Sequence, residues 1–327
     1  MEDRQTVQDG IQTQTELRAS LKSLGAATPL QRDILRTLSY FDIFQHPLTA
    51  EEIYSFLPSN STNVEHISQA CLGLVEQEIV GHQDGYYAIG ATIADRLSSR
   101  REKELHAAKC WQYAVRVGNI IRHIPFVKGV YVSGELSKGV ASLESDIDFF
   151  IITAEHRLWI CRSIIALLKR IYPPLLKQHL CFNLFITEKH LEFEEQNIYS
   201  AIEIATLKPL SDHGVLSPFL KHNQWVKHFL PNYTTPLTGD HTAPQSKSFL
   251  QSAMEFLLSS SPFTSLDRWL MRFWKVLINK RYARYPKEQR EQIFFFKEHI
   301  GTGYNHDLPR KILDSYERKL SEFQLSP

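Results

Sequence analysis

Asp146 and Asp148 stand two residues apart at the head of an apolar run, Ile147-Asp148-Phe149-Phe150-Ile151-Ile152. Side chains alternate along a strand, so the pattern predicts both carboxylates on one face. Two such charges repel unless a cation or protons lie between them. Mg2+ takes oxygen ligands and often uses one or two carboxylates together with substrate phosphates. Upstream, Val130-Tyr131-Val132-Ser133-Gly134-Glu135-Leu136-Ser137-Lys138-Gly139 reads as a strand entering a glycine-bearing turn. Backbone N–H groups in such a turn are phosphate donors, and Gly134 lets another chain approach closely. The hydroxyls of Ser133 and Ser137 and the ammonium of Lys138 complete the candidate nucleotide-binding loop. A phosphate cradle beside a two-carboxylate metal site is the equipment for phosphoryl or nucleotidyl transfer.

The order of these residues resembles the DNA polymerase β-like nucleotidyltransferase superfamily. Gly134 and Glu135 open the motif, Leu136 through Ser145 form the spacer, and Asp146-Ile147-Asp148-Phe149 close it. The resemblance covers residues from roughly 125 to 215. It implies a nucleotidyltransferase core, with Asp146 and Asp148 as catalytic and metal-binding residues, Mg2+ as cofactor and a nucleoside triphosphate, ATP first, as substrate. Two positions depart from the family pattern. Glu135 stands where Ser or Gly is usual, and a carboxylate there repels a triphosphate unless it turns to solvent. The third acid, usual on a later strand, is missing from Leu180-Cys181-Phe182-Asn183-Leu184-Phe185-Ile186, whose central polar residue is Asn183. An unpaired polar group in an apolar strand costs about 1–3 kcal/mol, so Asn183 is expected to face the site and to offer its carbonyl oxygen to the metal, or else to bond a neighbouring backbone. Glu203 is a reserve candidate for the missing acid.

The elements that must position these residues follow from the rest of the chain, which at 327 residues is long enough for two or three domains. No run of eighteen apolar residues appears, and Met1-Glu2-Asp3-Arg4-Gln5 lacks a signal-peptide core. Cys71, Cys110, Cys161 and Cys181 lack metal-pair spacing and read as buried reduced thiols, so a cytoplasmic protein without a membrane partner is expected.

Residues 1–28, polar and rich in Gln and Thr, read as a mobile arm. Residues 29–90 read as a winged-helix-like domain. It has a helix after Pro29, a second after the capping box Thr49-Ala50-Glu51-Glu52, a third from about Asn63 to Gln77, and a hairpin turning at Asp84-Gly85. Residues 1–90 together hold about a dozen acids against five bases, a charge of roughly −7. The third helix holds no Lys or Arg, so duplex DNA binding is not expected and partner recognition or packing is. Residues 91–125 read as one linking helix with Ile93, Leu97, Leu105, Ala108, Tyr113, Val117 and Ile121 as its apolar stripe.

Residues 126–215 form the expected nucleotidyltransferase core, a small mixed sheet with helices on one side. Residues 216–245 read as a connector. Residues 246–327 read as a basic, helical C-terminal domain, with Phe294-Phe295-Phe296 and the tryptophans in its core. The fold class expected is α+β: an N-terminal winged helix, a central nucleotidyltransferase-type mixed sheet flanked by helices, and a C-terminal helical region. The function expected is transfer of a nucleoside monophosphate to the hydroxyl of an acceptor that is a small molecule, a protein or an RNA. The alternative is a catalytically degenerate member acting as a binding or regulatory module, with a DNA-binding regulator as a weaker third reading.

Overall fold

A computed structural model describes residues 27–60, 63–171, 180–234, 248–288, 290, 294–302 and 307–326. Most of the expected arm, residues 1–26, and residues 235–245 of the expected connector lie outside the described residues. Among the described residues the chain is mixed α+β, with twelve helices and two sheets. It divides into two compact units, the first within residues 1–101, 226–234 and 311–327, the second within 102–225 and 235–310.

In the first unit, α1 (Pro29–Asp42) starts at Thr28, whose hydroxyl accepts from Gln31 N at 3.2 Å while Gln31 Oε1 accepts from Thr28 N at 3.0 Å. The strand β1 (Leu48–Thr49) leads into α2 (Ala50–Phe56), which carries the expected Thr49–Glu52 capping box. Helix α3 (Val64–Glu76) is capped by Asn63. The hairpin β2 (Val80–Gln83) and β3 (Tyr86–Ile89) turns at Asp84 and Gly85, with φ of 52° and 81°. These left-handed values are those the tight hairpin turn requires. Strand β1 pairs with β3, so the sheet has three strands in the order β1-β3-β2. Ile34, Leu35, Ile53, Ile67 and Leu74 fill the interior. Beside them Arg100, itself buried, pairs with Glu52 at 2.7 Å. Burial pushes the Glu52 carboxyl up, but the Arg100 guanidinium and the Thr49 N–H outweigh it and hold the group below its ordinary value of 4.5.

Helix α4 (Ala94–Ile121) passes through the division between the units. After it come β4 (Val127–Ser133), the single turn α5 (Gly134–Ser137), β5 (Ile147–Thr153), α6 (Leu158–Ile171), β6 (Leu180–Thr187), α7 (Ile198–Ala205), β7 (Lys208–Asp212) and α8 (Leu216–His222). The short α9 (Val226–Phe229) belongs to the first unit, and α10 (Phe249–Leu258), α11 (Ser261–Arg281) and β8 (Ile300–Thr302) to the second; α12 (Asp307–Glu322) ends the chain. The five-stranded sheet runs β7-β4-β5-β6-β8. Only β5 and β6 are parallel, and Asp148 stands between Ser133 on β4 and Cys181 on β6.

One face of this sheet, with Val130, Val132, Phe149, Ile151 and Phe185, shares a core with Ala114, Val117 and Ile121 of α4 and Trp159 and Ile165 of α6. On the other face Phe150 packs on Tyr131 at 5.6 Å and on Phe219 of α8 at 5.4 Å between ring centroids. Helices therefore cover both faces, a correction to the one-sided arrangement expected.

Two further corrections have clear physical causes. Of the expected stripe on α4, Leu97, Val117 and Ile121 are buried, but Ala107, Cys110 and Ala114 fill the inner positions between them, while Leu105 and Tyr113 are 71 % and 42 % exposed. Small residues win because the helix lies hard against the sheet: a Cβ on Gly118 would stand 2.7 Å from Leu210 Cδ1. Strand β7 carries Pro209, and as an edge strand it tolerates a residue without an N–H. The C-terminal region is not wholly helical, since Ile300–Thr302 adds the edge strand β8 to β6. Gly301 permits this, because a Cβ there would come within 3.1 Å of Trp159 Cη2. Trp159 is fully buried and stacks on Phe296 as a core residue, whereas Trp269 is 58 % exposed and stacks on Phe273 at the surface.

Candidate functional site

The candidate residues converge at one end of β4, β5 and β6, within the second unit. Gly134 opens α5 with φ +67°, and a Cβ on it would lie 2.3 Å from Asp148 Oδ2. Only glycine leaves room for that carboxylate, so the turn and the acidic strand are built as one piece. Ser133 is the cross-strand neighbour of Asp148. Asp146 lies one residue before β5, exposed, and its charge acts on Asp148.

Asp148 is half-buried, and its proton affinity reflects the crowd around it. Burial pushes its carboxyl up from 3.8 to about 7, with Glu203 and then Asp146 adding like charge. Lys138 and a hydrogen bond from Asn183 pull the other way. A cation placed among these oxygens opposes the shift by favouring the charged carboxylate. Among the described residues no group of three or more His, Cys, Asp or Glu side chains is arranged as a metal cage. The acidic side chains acting on one another here are Asp148, Asp146 and Glu203.

Asn183 reaches the site but not as expected. Its Nδ2 donates to Asp148 Oδ1, and its own Oδ1 accepts from Cys181 Sγ at 2.6 Å. The half-buried carboxylate needs a donor, and the amide supplies it, so Asn183 supports Asp148 rather than offering a carbonyl ligand. Cys181 enters as its partner because residues two apart on a strand share a face. That spacing was readable in the sequence, though nothing marked the thiol as a polar neighbour.

The other loop residues separate into distinct jobs. Ser137 is 2 % exposed, and its Oγ donates to Gly134 O at 2.8 Å and lies 3.3 Å from Thr206 Oγ1. Its hydroxyl locks the turn to the end of α7 instead of facing a ligand. Lys138 Nζ donates to Gly134 O at 3.1 Å and to Glu203 Oε1 at 2.6 Å. Glu203 Oε2 in turn accepts from Gly134 N at 3.3 Å. Glu135 is exposed and accepts from Ser145 Oγ at 2.6 Å, which ties it to the spacer loop, and it is not among the charges acting on Asp148. Of the two carboxylates outside the aspartate pair, the site therefore holds Glu203, delivered by α7, and not Glu135.

A mixed α+β unit with a glycine turn seated against an acidic strand is the class that fold and site define. No family model matches the chain, and neither a curated protein nor a solved structure gives a significant match.

Proposed function

We propose that the second unit is a nucleotidyltransferase core of the DNA polymerase β-like type, moving a nucleoside monophosphate from a triphosphate, ATP first, to an acceptor hydroxyl. The observation that carries the reading is the close approach of Gly134 to the Asp148 carboxylate, with the like charges of Glu203 and Asp146 acting on that carboxylate. Asp146 and Asp148 would hold Mg2+, and the bound ion would polarise the α-phosphate and favour loss of the acceptor's proton. Asn183 holds Asp148 in place through its amide. Gly134 keeps the turn close to the carboxylate, and Ser133 and Lys138 lie where phosphate oxygens would enter. The acceptor oxygen forms the new bond to the α-phosphorus as the α–β anhydride breaks. Pyrophosphate leaves and the acceptor proton passes to solvent.

Residues 29–90 are proposed as a winged-helix-like module that recognises a partner. Helix α3 carries Glu65, His66, Ser68, Gln69 and Glu76 with no Lys or Arg, which disfavours phosphate neutralisation on duplex DNA. All four cysteines are free and three are buried, which supports a reducing, cytoplasmic setting. No helix among the described residues is long and apolar enough to cross a membrane.

The second reading, a degenerate core serving as a binding module, is favoured by one feature: the Lys138 ammonium and the Gly134 N–H are both taken by Glu203. A melting-temperature screen separates the two. The transferase reading expects a rise of several degrees with a nucleoside triphosphate that requires Mg2+, since binding at 100 times Kd stabilises by about 2.7 kcal/mol. A flat response to every triphosphate, with or without Mg2+, supports the degenerate reading instead.

A further inference from the structure

Glu203 makes the contacts that an incoming phosphate would need. One oxygen accepts from the backbone N–H at the head of the glycine turn, at 3.3 Å, and the other from Lys138 Nζ, at 2.6 Å. A carboxylate bonded to a backbone N–H and a Lys ammonium reproduces the donors that hold a phosphoryl group. The pair is mostly shielded, with the Lys138 and Glu203 side chains 18 % and 24 % exposed. It also sets a second carboxylate close enough to Asp148 to act on it as like charge. Among the described residues, Gly134 and Lys138 are the hydrogen-bond partners that fix the position of the Glu203 carboxylate.

We infer that Glu203 is a built-in competitor of the triphosphate, an autoinhibitory side chain that occupies the phosphate cradle until a nucleotide displaces it. The inference rests on the nucleotidyltransferase reading of the site and concerns how that site is held in check. Displacement needs only a side-chain rotation. Helix α7 stays joined to the turn through the buried pair Ser137 and Thr206, while a Glu on its surface has several rotamers available. A ligand bearing one phosphate gains little beyond what the carboxylate already provides. A triphosphate gains contacts along its whole length, so the cradle opens for the longer polyanion. Apparent affinity falls by the fraction of molecules in which the cradle is open.

The test is titration of wild type, Glu203→Gln and Glu203→Ala with inorganic tripolyphosphate and with ATP, in Mg2+, read by calorimetry. Both variants are expected to bind about tenfold more tightly than wild type, because the neutral or absent side chain no longer holds Lys138. Two variants guard against one that fails to fold. Equal affinity in all three proteins overturns the inference and leaves the nucleotidyltransferase reading standing. Weaker binding by both variants overturns it too, since Glu203 would then be a ligand of the bound complex. Binding by none of the three, Glu203→Ala included, removes the nucleotidyltransferase reading and the inference with it.

Discussion

Asp148→Asn is expected to make the protein more stable in the absence of divalent cations and to remove the proposed transfer activity. In the folded chain Asp148 keeps its proton up to about 7, whereas its ordinary value is 3.8. Between those values the folded state binds a proton that the unfolded state has released. Stability contributed at this site is therefore greatest below 3.8, declines as pH rises through the window, and stays low above 7. A shift of one pKa unit corresponds to about 1.4 kcal/mol, and solvent screening at a half-buried group reduces the total to about 1–3 kcal/mol. Asparagine keeps the shape and removes the charge. Chemical denaturation in EDTA should show the variant level with wild type at pH 4 and more stable by about 1–3 kcal/mol at pH 8. The same variant should lose nucleotidyl transfer by at least on the order of 10²–10³-fold and lose any stabilisation by Mg2+. A residue kept for packing behaves the opposite way: its replacement destabilises at every pH and leaves the Mg2+ response intact.

Gly134→Ala should damage fold and site together. The glycine sits at φ +67°, where a side chain costs about 1–2 kcal/mol. Its new Cβ would also lie 2.3 Å from Asp148 Oδ2 and 3.2 Å from Cγ, so the carboxylate must leave its seat. The two effects together should destabilise by about 2–4 kcal/mol and weaken Mg2+–triphosphate binding by on the order of 100-fold. Gly139→Ala separates the causes. Gly139 has φ +81° with nothing within 4 Å of where the new methyl would stand, so only the backbone cost of about 1–2 kcal/mol remains and binding should persist. Comparable binding by the two variants, measured by calorimetry on folded protein, would contradict the coupling of turn and carboxylate.

What could be read from the sequence was local, and what escaped depended on distant partners. The capping box at Thr49 and Glu52 and the Asp84-Gly85 turn involve residues within three positions of each other, and both form as written. The Ser133-Gly134 turn and the strand from Ile147 to Thr153 were legible because each carries its own local signal, a glycine in the one and a continuous apolar run in the other. The buried stripe of α4 was legible only in part: Leu97, Val117 and Ile121 are buried as read, but Ala107 and not Leu105 lies inside, a choice made by packing partners distant in sequence. Strand β8 escaped for a similar reason: three residues become a strand only because β6 offers an open edge. At the site, Ser137 had the right residue type for a phosphate contact but points into the protein toward Thr206, sixty-nine positions away. Glu203 looked like an ordinary helix-surface acid until Lys138, sixty-five positions earlier, was brought beside it.

The most direct measurement of the central claim is a crystal structure grown with Mn2+ and a non-hydrolysable triphosphate, read by anomalous scattering. The account predicts a Mn2+ peak bound by Asp146 and Asp148, with the triphosphate against the Gly134 turn and Glu203 swung clear of Lys138. A triphosphate bound elsewhere, or a peak that avoids both aspartates, would contradict it.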